Sequence, residues 1–240
     1  MTEILFMKDA DANYIRDFDA TVVSKGENFV VLDRTAFYAV GGGQESDTGT
    51  LAWDGGSARV KEVTKKGEVR HFLDGALPEV GAKVRGAIDW ERRHAHMRMH
   101  TAQHIISSVV FDMYKARTVG NQIHADRSRV DFAPANFTQE DVVKIEAKCN
   151  EIASKGIPVR IYQEDRSELE KRVDQQRSNL DLLPQSIRNL RIVDIEGFDV
   201  CPCAGTHVRS TTELGRFHII EREKKGKDRE RLTYELIGAQ

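Results

Sequence analysis

Two short pairs of side chains set the tightest constraint on how this chain can fold. His100 and His104 lie four residues apart in His100-Thr101-Ala102-Gln103-His104, and Cys203 and His207 lie four apart in Cys203-Ala204-Gly205-Thr206-His207. On a helix the first two imidazoles project from one face, one turn apart. Gly205 interrupts the second pair and suits a turn. Together the pairs offer three imidazole nitrogens and one thiolate, a tetrahedral donor set that suits zinc. If they serve one ion, the fold must close the long stretch between them. Each pair alone is weak evidence, because a long helix often carries two histidines that merely pack. The first pair is not a metalloprotease His-Glu-x-x-His, since Thr101 stands where that motif places its general base. Rivals for the ligand role are His94 and His96 in the basic run Arg92–Arg98, His124, and Cys201, two residues before Cys203. Cys201 reads as a buried strand residue and Cys149 as core on an apolar helix face. His71 and His218 read as ordinary strand residues.

The 240 residues are enough for one large or two small domains. With 36 basic and 38 acidic side chains the net charge is −2, so a polyanion would have to meet a local basic patch. The N-terminus carries Glu3, Lys8, Asp9 and Asp11 around a short apolar run and is neither a signal peptide nor a membrane span. Three cysteines and no export signal fit a reducing cytoplasm.

The fold class expected is α+β. Residues 1–90 are read as a small β-barrel domain, from β-prone runs at Ala20–Ser24, Asn28–Asp33, Ala58–Val63, Glu68–Leu73 and Lys83–Trp90 divided by Gly and Asp turns. Residues 91–240 are read as a layered domain of segregated helices and strands. Its first helix spans Glu91–Tyr114, with Met97, His100, His104, Ile105, Ser108, Val109 and Met113 on one side. Strands follow near Thr118–His124 and Arg127–Phe132. Thr138 opens a second helix by a capping box, with Val142, Ile145, Cys149 and Ile152 inward and Gly156 at its end. Ser167 is expected to cap a short helix. Leu190–Ile195, Gly215–Arg222 and Arg231–Ile237 are the last strands.

Two further features bear on function. Gly41-Gly42-Gly43-Gln44 reads either as a flexible turn or as a loop where backbone approaches a ligand, with Gln44 and the amides as donors. Lys224–Arg231 reads as a solvated hairpin loop rich in cations that can meet phosphates.

These residues also resemble a known family. His100–His104 is similar to the His-Thr-Ala-x-His of the editing domain of alanyl-tRNA synthetases, and Cys203–Arg209 to its Cys-x-Gly-Thr-His. Gly120–Phe132, ending Arg129-Val130-Asp131-Phe132, resembles that domain's glycine-started strand pair. Phe37-Tyr38-Ala39, Gly42-Gly43-Gln44 and Asp47-Thr48-Gly49 resemble the small barrel before it. The matches run in order over residues 35–237, with no room before them for an aminoacylation domain, so the chain resembles a free-standing editing protein of the AlaX type. The resemblance implies an editing domain of the alanyl/threonyl-tRNA synthetase type. It implies hydrolysis of the ester of serine or glycine wrongly attached to alanine tRNA. It further implies one zinc on His100, His104, Cys203 and His207, and a role for Gly41–Gln44 in accepting the amino acid. Ala204 replaces the usual glycine, and Thr118 stands where synthetase domains often carry Gln. No side chain is an obvious general base; Thr101, Gln103 and Gln122 are candidates for polar contacts, and Thr101, Gln44 or a glycine-loop amide for the hydrogen bond to the substrate hydroxyl. A zinc-stabilised RNA-binding module or a small-molecule metallohydrolase would use the same ligands, and turnover of a mischarged tRNA separates them.

Overall fold

The computed structural model describes residues 1–238. The chain falls into two compact units, the first ending at Ala95 and the second beginning at His96.

The first unit contains eight strands: β1 (Glu3–Ile4), β2 (Asp17–Lys25), β3 (Phe29–Leu32), β4 (Arg34–Thr35), β5 (Gly49–Trp53), β6 (Gly56–Lys66), β7 (Glu68–Asp74) and β8 (Lys83–Ile88). Six of them close a barrel in the order β2, β3, β7, β6, β5, β8, while β1 and β4 pair in parallel beside it. Alternation builds the barrel core. Phe18, Ala20 and Val22 on β2 face inward while their neighbours do not. On β6 the inward set is Ala58 and Val60 and then Val63, because a register shift between Val60 and Glu62 moves the strand by one position. β5 was not foreseen, because a five-residue run that includes Gly49 and Ala52 and has only Leu51 buried carries little β signal.

The polar interior of this unit is fully partnered. Arg93 and Asp47 are both completely buried. The Arg93 Nε sits 3.0 Å from each Asp47 oxygen, Nη1 donates to Asn13 O at 2.9 Å, and Nη2 donates to Ala36 O at 2.5 Å and to Asp47. Asp47 Oδ2 also accepts from Tyr38 N at 2.6 Å. An ion pair taken this far out of water holds only because nearly every lone pair and hydrogen is used. His71 is also fully buried, on β7. Its Nδ1 lies 3.3 Å from Val30 O and its Nε2 2.8 Å from Thr35 Oγ1. A carbonyl can only accept, so Nδ1 carries the hydrogen and Nε2 accepts from the hydroxyl.

The second unit takes in most of α1 (Trp90–Tyr114) and then β9 (Arg117–Ile123), β10 (Ser128–Ala133), α2 (Gln139–Ala153), β11 (Val159–Asp165), α3 (Arg166–Leu169), β12 (Asn189–Ile195), β13 (Asp199–Pro202), β14 (Arg216–Lys224) and β15 (Glu230–Ile237). An antiparallel sheet of order β14-β15-β10-β9 carries the helices, and β11-β12-β13 form a second sheet. Tyr234 on β15 donates to Met99 O of α1 at 2.8 Å, and Asn150 of α2 bonds both the N–H and the C=O of Phe217 on β14. The α+β class is therefore observed. Thr138 caps α2 with Asp141 as its reciprocal partner, and the inward residues of α2 include Val142, Ile145, Cys149 and Ile152.

Three local expectations change. From His96 to Phe111 every residue of α1 except Arg98 and Ser107 is buried, so the one-sided stripe is really burial on all sides; Met113, placed in that stripe, is exposed. Ser167 does not cap α3. Asp165 does, accepting from Ser167 N at 2.8 Å, and its carboxylate is a stronger acceptor two residues earlier. Gly215 precedes β14 with φ +73°, closing a 3-10 turn (Thr211–Leu214) capped by Ser210.

Burial pushes the His71 pKa down from 6.5 to about 4. The unfolded chain then binds more protons than the folded one between those values, so stability is full above about 6.5 and falls as pH drops toward 4, by up to about 1.4 kcal/mol per pH unit. Urea unfolding of wild type and His71→Gln across this range should show a shallower acid loss in the variant; parallel curves would remove His71 as the cause.

Candidate metal centre

α1 supplies the first half of the centre. The His100 and His104 rings stand 5.5 Å apart between centroids on one side of the helix. β13 supplies the second. It pairs with β12 through Val193 and Cys201, and the ladder is extended by Cys203 N donating to Arg191 O at 3.0 Å and Arg191 Nη1 donating to Cys203 O at 2.6 Å. The chain then turns through Gly205 and returns His207 to the helix, where Val208 N reaches Thr101 Oγ1 at 3.3 Å.

One ligand atom from each of His100, His104, Cys203 and His207 lies within 4.8 Å of every other. Cys203 Sγ is 3.5 Å from His100 Nε2 and 3.3 Å from His207 Nε2. A tetrahedral zinc with ordinary bond lengths places sulfur and nitrogen about 3.5 Å apart. Two edges of the cluster, Cys203 to His100 and Cys203 to His207, therefore already have the length found around a tetrahedral zinc, and the chemistry of the four donors fits the ion. Gly205 is required by this closeness. A Cβ there would lie 2.1 Å from His100 Cε1 and 2.3 Å from its Nδ1, inside the ring's van der Waals surface.

The site's hydrogen-bond partners fix the rings. Thr101 donates its hydroxyl hydrogen to Met97 O at 3.0 Å, so its oxygen accepts from His207 Nδ1 at 3.1 Å. Thr101, put forward as a substrate contact, is in this structure buried and committed to His207. His104 Nδ1 lies 3.2 Å from Asp199 Oδ2 and 3.2 Å from Cys201 Sγ. Burial and the neighbouring His100 charge hold His207 well below the usual imidazole range. Burial would lower His104 too, but Cys201 and Asp199 beside it raise it well above that range. Against the same desolvation, His100 and His207 keep the Cys203 thiol well below its ordinary value. Burial pushes Cys201 up to about 11.

Other candidates separate from this cluster. His94 stacks on Trp90 with ring centroids 5.3 Å apart, and among the described residues neither it nor His96 nor His124 joins a group of metal-capable side chains. Gln103 Nε2 donates to Ser107 Oγ at 2.7 Å, and Ser107 in turn meets Thr118 Oγ1 at 2.7 Å. Gln122 Oε1 accepts from Arg129 Nε at 2.8 Å. In the first unit Gly41 and Gln44 exchange backbone hydrogen bonds of 3.1 and 2.9 Å across a turn in which Gly42 and Gly43 have φ of +57° and +86°. The three glycines are exposed and the Gln44 side chain is buried, so this loop is a tight turn that offers backbone outward.

One neighbour of the cluster, Asp199, escaped the sequence reading, in which Cys201 stands as a rival ligand and reads as a packed strand residue. Asp199 and Cys201 are strand residues in step with Cys203, and the period-2 rule places all three on one face. That alternation was the available signal for Asp199.

Gly205→Ala should lower zinc affinity by more than tenfold in a competition assay with a chromophoric chelator, while Ala204→Gly should bind as wild type. Undiminished affinity in Gly205→Ala would contradict the geometry of the turn.

Comparison with known proteins places this site in a lineage. The model for class II (A) tRNA synthetases matches residues 9–92, and that for the second additional domain of threonyl and alanyl tRNA synthetases matches residues 190–233, which contain Cys203 and His207. The alanyl-tRNA editing protein AlaX-M of Methanosarcina barkeri is 39% identical over 245 residues, covering 99% of this chain and 100% of the relative. That of Saccharolobus solfataricus is 37% identical over 242 residues, covering 98% of each. The alanine–tRNA ligase of Methanopyrus kandleri is 37% identical over 246 residues, 97% of this chain but 26% of the ligase. With matches at this identity over nearly the whole of both partners, the chain belongs to the family of alanyl-tRNA editing proteins.

Proposed function

We propose that this protein is a trans-acting aminoacyl-tRNA deacylase that removes serine, and glycine with it, from alanine tRNA, using one zinc held by His100, His104, Cys203 and His207. The observation that carries the reading is the convergence of those four donors in a chain whose relatives are named alanyl-tRNA editing proteins. Residues 1–90 are the barrel domain with the glycine turn, and residues 91–240 the zinc-binding editing domain of the alanyl/threonyl-tRNA synthetase type. No helix among the described residues is long and apolar enough to cross a membrane. A tRNA substrate places the work in the cytoplasm.

The reaction adds water to the ester carbonyl and collapses the tetrahedral oxyanion, breaking the bond to the ribose oxygen, which takes a proton as it leaves. When bound, zinc with four protein ligands supplies a fixed positive centre that shapes the pocket. The chain's own groups do the rest. Thr101 holds His207, and the burial of His100, His104 and His207 excludes bulk water and strengthens each hydrogen bond. With its oxygen engaged by Arg129, Gln122 presents its amide NH2 group to a substrate oxygen. Gln103 presents its carbonyl oxygen, its NH2 being bound to Ser107. The exposed amides of Gly42 and Gly43 are the groups through which the glycine turn meets the substrate. Serine is told from alanine by a hydrogen bond to its hydroxyl, a device that reaches roughly 10⁴-fold when the pocket's polar group is otherwise unpaired.

Single-turnover deacylation of Ser-tRNA(Ala), Gly-tRNA(Ala) and Ala-tRNA(Ala), before and after chelation and zinc add-back, tests the reading. The expected result is zinc-dependent loss of the seryl ester with the alanyl ester spared, and loss of both turnover and metal in Cys203→Ala. Full activity in Cys203→Ala would sink the zinc assignment, and tRNA binding without turnover would make the protein a binding module.

A further inference from the structure

We infer that Asp199 is the positioning residue for His104, taking the hydrogen of Nδ1 and so presenting Nε2 to the four-residue cluster. The inference rests on the reading above that His104 is a metal ligand.

Asp199 opens β13 and is 3% exposed, yet both of its oxygens are engaged. Oδ2 faces His104 Nδ1 at 3.2 Å. Oδ1 accepts from Ser108 Oγ at 2.6 Å, and Arg177 Nη1 stands 3.6 Å from the same oxygen. Ser108 lies one turn after His104 on α1, so the carboxylate spans two successive turns of the helix that carries the ligand. Arg177 is itself fastened, forking onto Asp112 at 3.1 and 3.1 Å and donating to Phe198 O at 2.8 Å. A carboxylate clamped by a hydroxyl and a guanidinium cannot turn away from the ring, and its buried charge is compensated.

The chemistry then has one solution. A carboxylate accepts only, so the hydrogen between Asp199 and His104 belongs to Nδ1. With Nδ1 held on Asp199, Nε2 is the nitrogen whose lone pair is offered when the ring serves as a ligand. Cys201 Sγ competes for the same hydrogen at 3.2 Å and lies 4.0 Å from Nε2, but sulfur is a weak acceptor beside a carboxylate. His207 receives the same service from Thr101, a neutral oxygen. Carboxylate partners of metal-bound histidines orient the ring and raise its basicity, and losing one typically costs 10–100-fold in metal affinity.

The test is zinc affinity by chelator competition, together with the visible spectrum of the cobalt-loaded protein, in wild type, Asp199→Asn, Ser108→Ala, Cys201→Ser and His104→Ala. Asp199→Asn should bind zinc 10–100-fold more weakly and shift the cobalt bands. Ser108→Ala should do so to a smaller degree, and it keeps the question answerable should Asp199→Asn misfold. Cys201→Ser should bind as wild type. In the His104→Ala background, Asp199→Asn and Ser108→Ala should cost nothing further, which a purely structural role would not reproduce. Wild-type affinity in Asp199→Asn, or an equal loss in the His104→Ala background, overturns this inference alone. A wild-type protein that takes up no zinc overturns it together with the reading of the site.

Discussion

The second unit brings two turns of α1 and the segment that follows β13 within reach of one another. Four donors from positions about a hundred residues apart lie within 4.8 Å, gathered by α1, the β12–β13 ladder and the turn at Gly205. A link closing a loop of that length removes roughly 4–5 kcal/mol of chain entropy from the unfolded ensemble. Without an ion the same cluster works against folding. Three imidazoles and a thiol are gathered out of water, and burial and mutual repulsion drive His207 down while nearby acceptors drive His104 up. An ion held there would make metal affinity part of the folding energy, because the donors would lose protons to serve it and are collected only by the native chain.

The same reasoning explains why α1 is buried almost all round. A ligand-bearing helix laid on the surface of a sheet would leave its second side in water. Here α1 contacts the large sheet through Tyr234 and Met99 O, reaches β13 through Ser108 and Asp199, and meets the Cys203–His207 turn through Thr101. Polar residues in such a helix must each find a partner, and Thr101, Gln103, His104 and Ser108 all do so within the second unit. In the first unit Arg93, in the first turn of the same helix, is held by Asp47, Asn13 and Ala36 in a pocket with no contact to water. Removing one partner of that pair would leave a buried charge uncompensated, typically worth 3–5 kcal/mol.

What could be read in the sequence follows the strength of local signals. The Thr138 capping box, the apolar spacing through Cys149 and the hairpin ending at Ile237 are short-range patterns, and they appear as expected. The span of α1 was legible because breakers are scarce, yet its orientation was not: burial on every side flattens the periodicity from which a face is read. β13 is four residues long and contains Pro202, so although Cys201 reads as a strand residue, the strand's extent and partner are fixed only by pairing with β12. Asp199 was invisible for the same reason, since its role appears only once β13 has a register. Cys201 shows the limit of assigning a residue by its element alone. It is a strand residue, half-buried, and its sulfur reaches the imidazole of a candidate ligand.

The polar groups near the cluster therefore divide by what they are already bound to, and this division narrows the chemistry. Thr101 and Ser108 have given their hydrogens to Met97 O and Asp199, and each also holds a place in the scaffold of a ligand ring. Thr118 and Ser107 share one hydrogen bond, with Gln103 donating into it. A hydroxyl whose hydrogen points into the scaffold can accept from a substrate but cannot donate to an oxyanion. Donors for developing negative charge would then have to come from groups whose hydrogens point elsewhere; under the proposed reading the amide of Gln122, whose oxygen accepts from Arg129, is the candidate. Amide hydrogens of this kind hold no proton that can be transferred near neutral pH. A site built from them stabilises charge and orients water, and it leaves proton transfer to the water and the departing ribose oxygen.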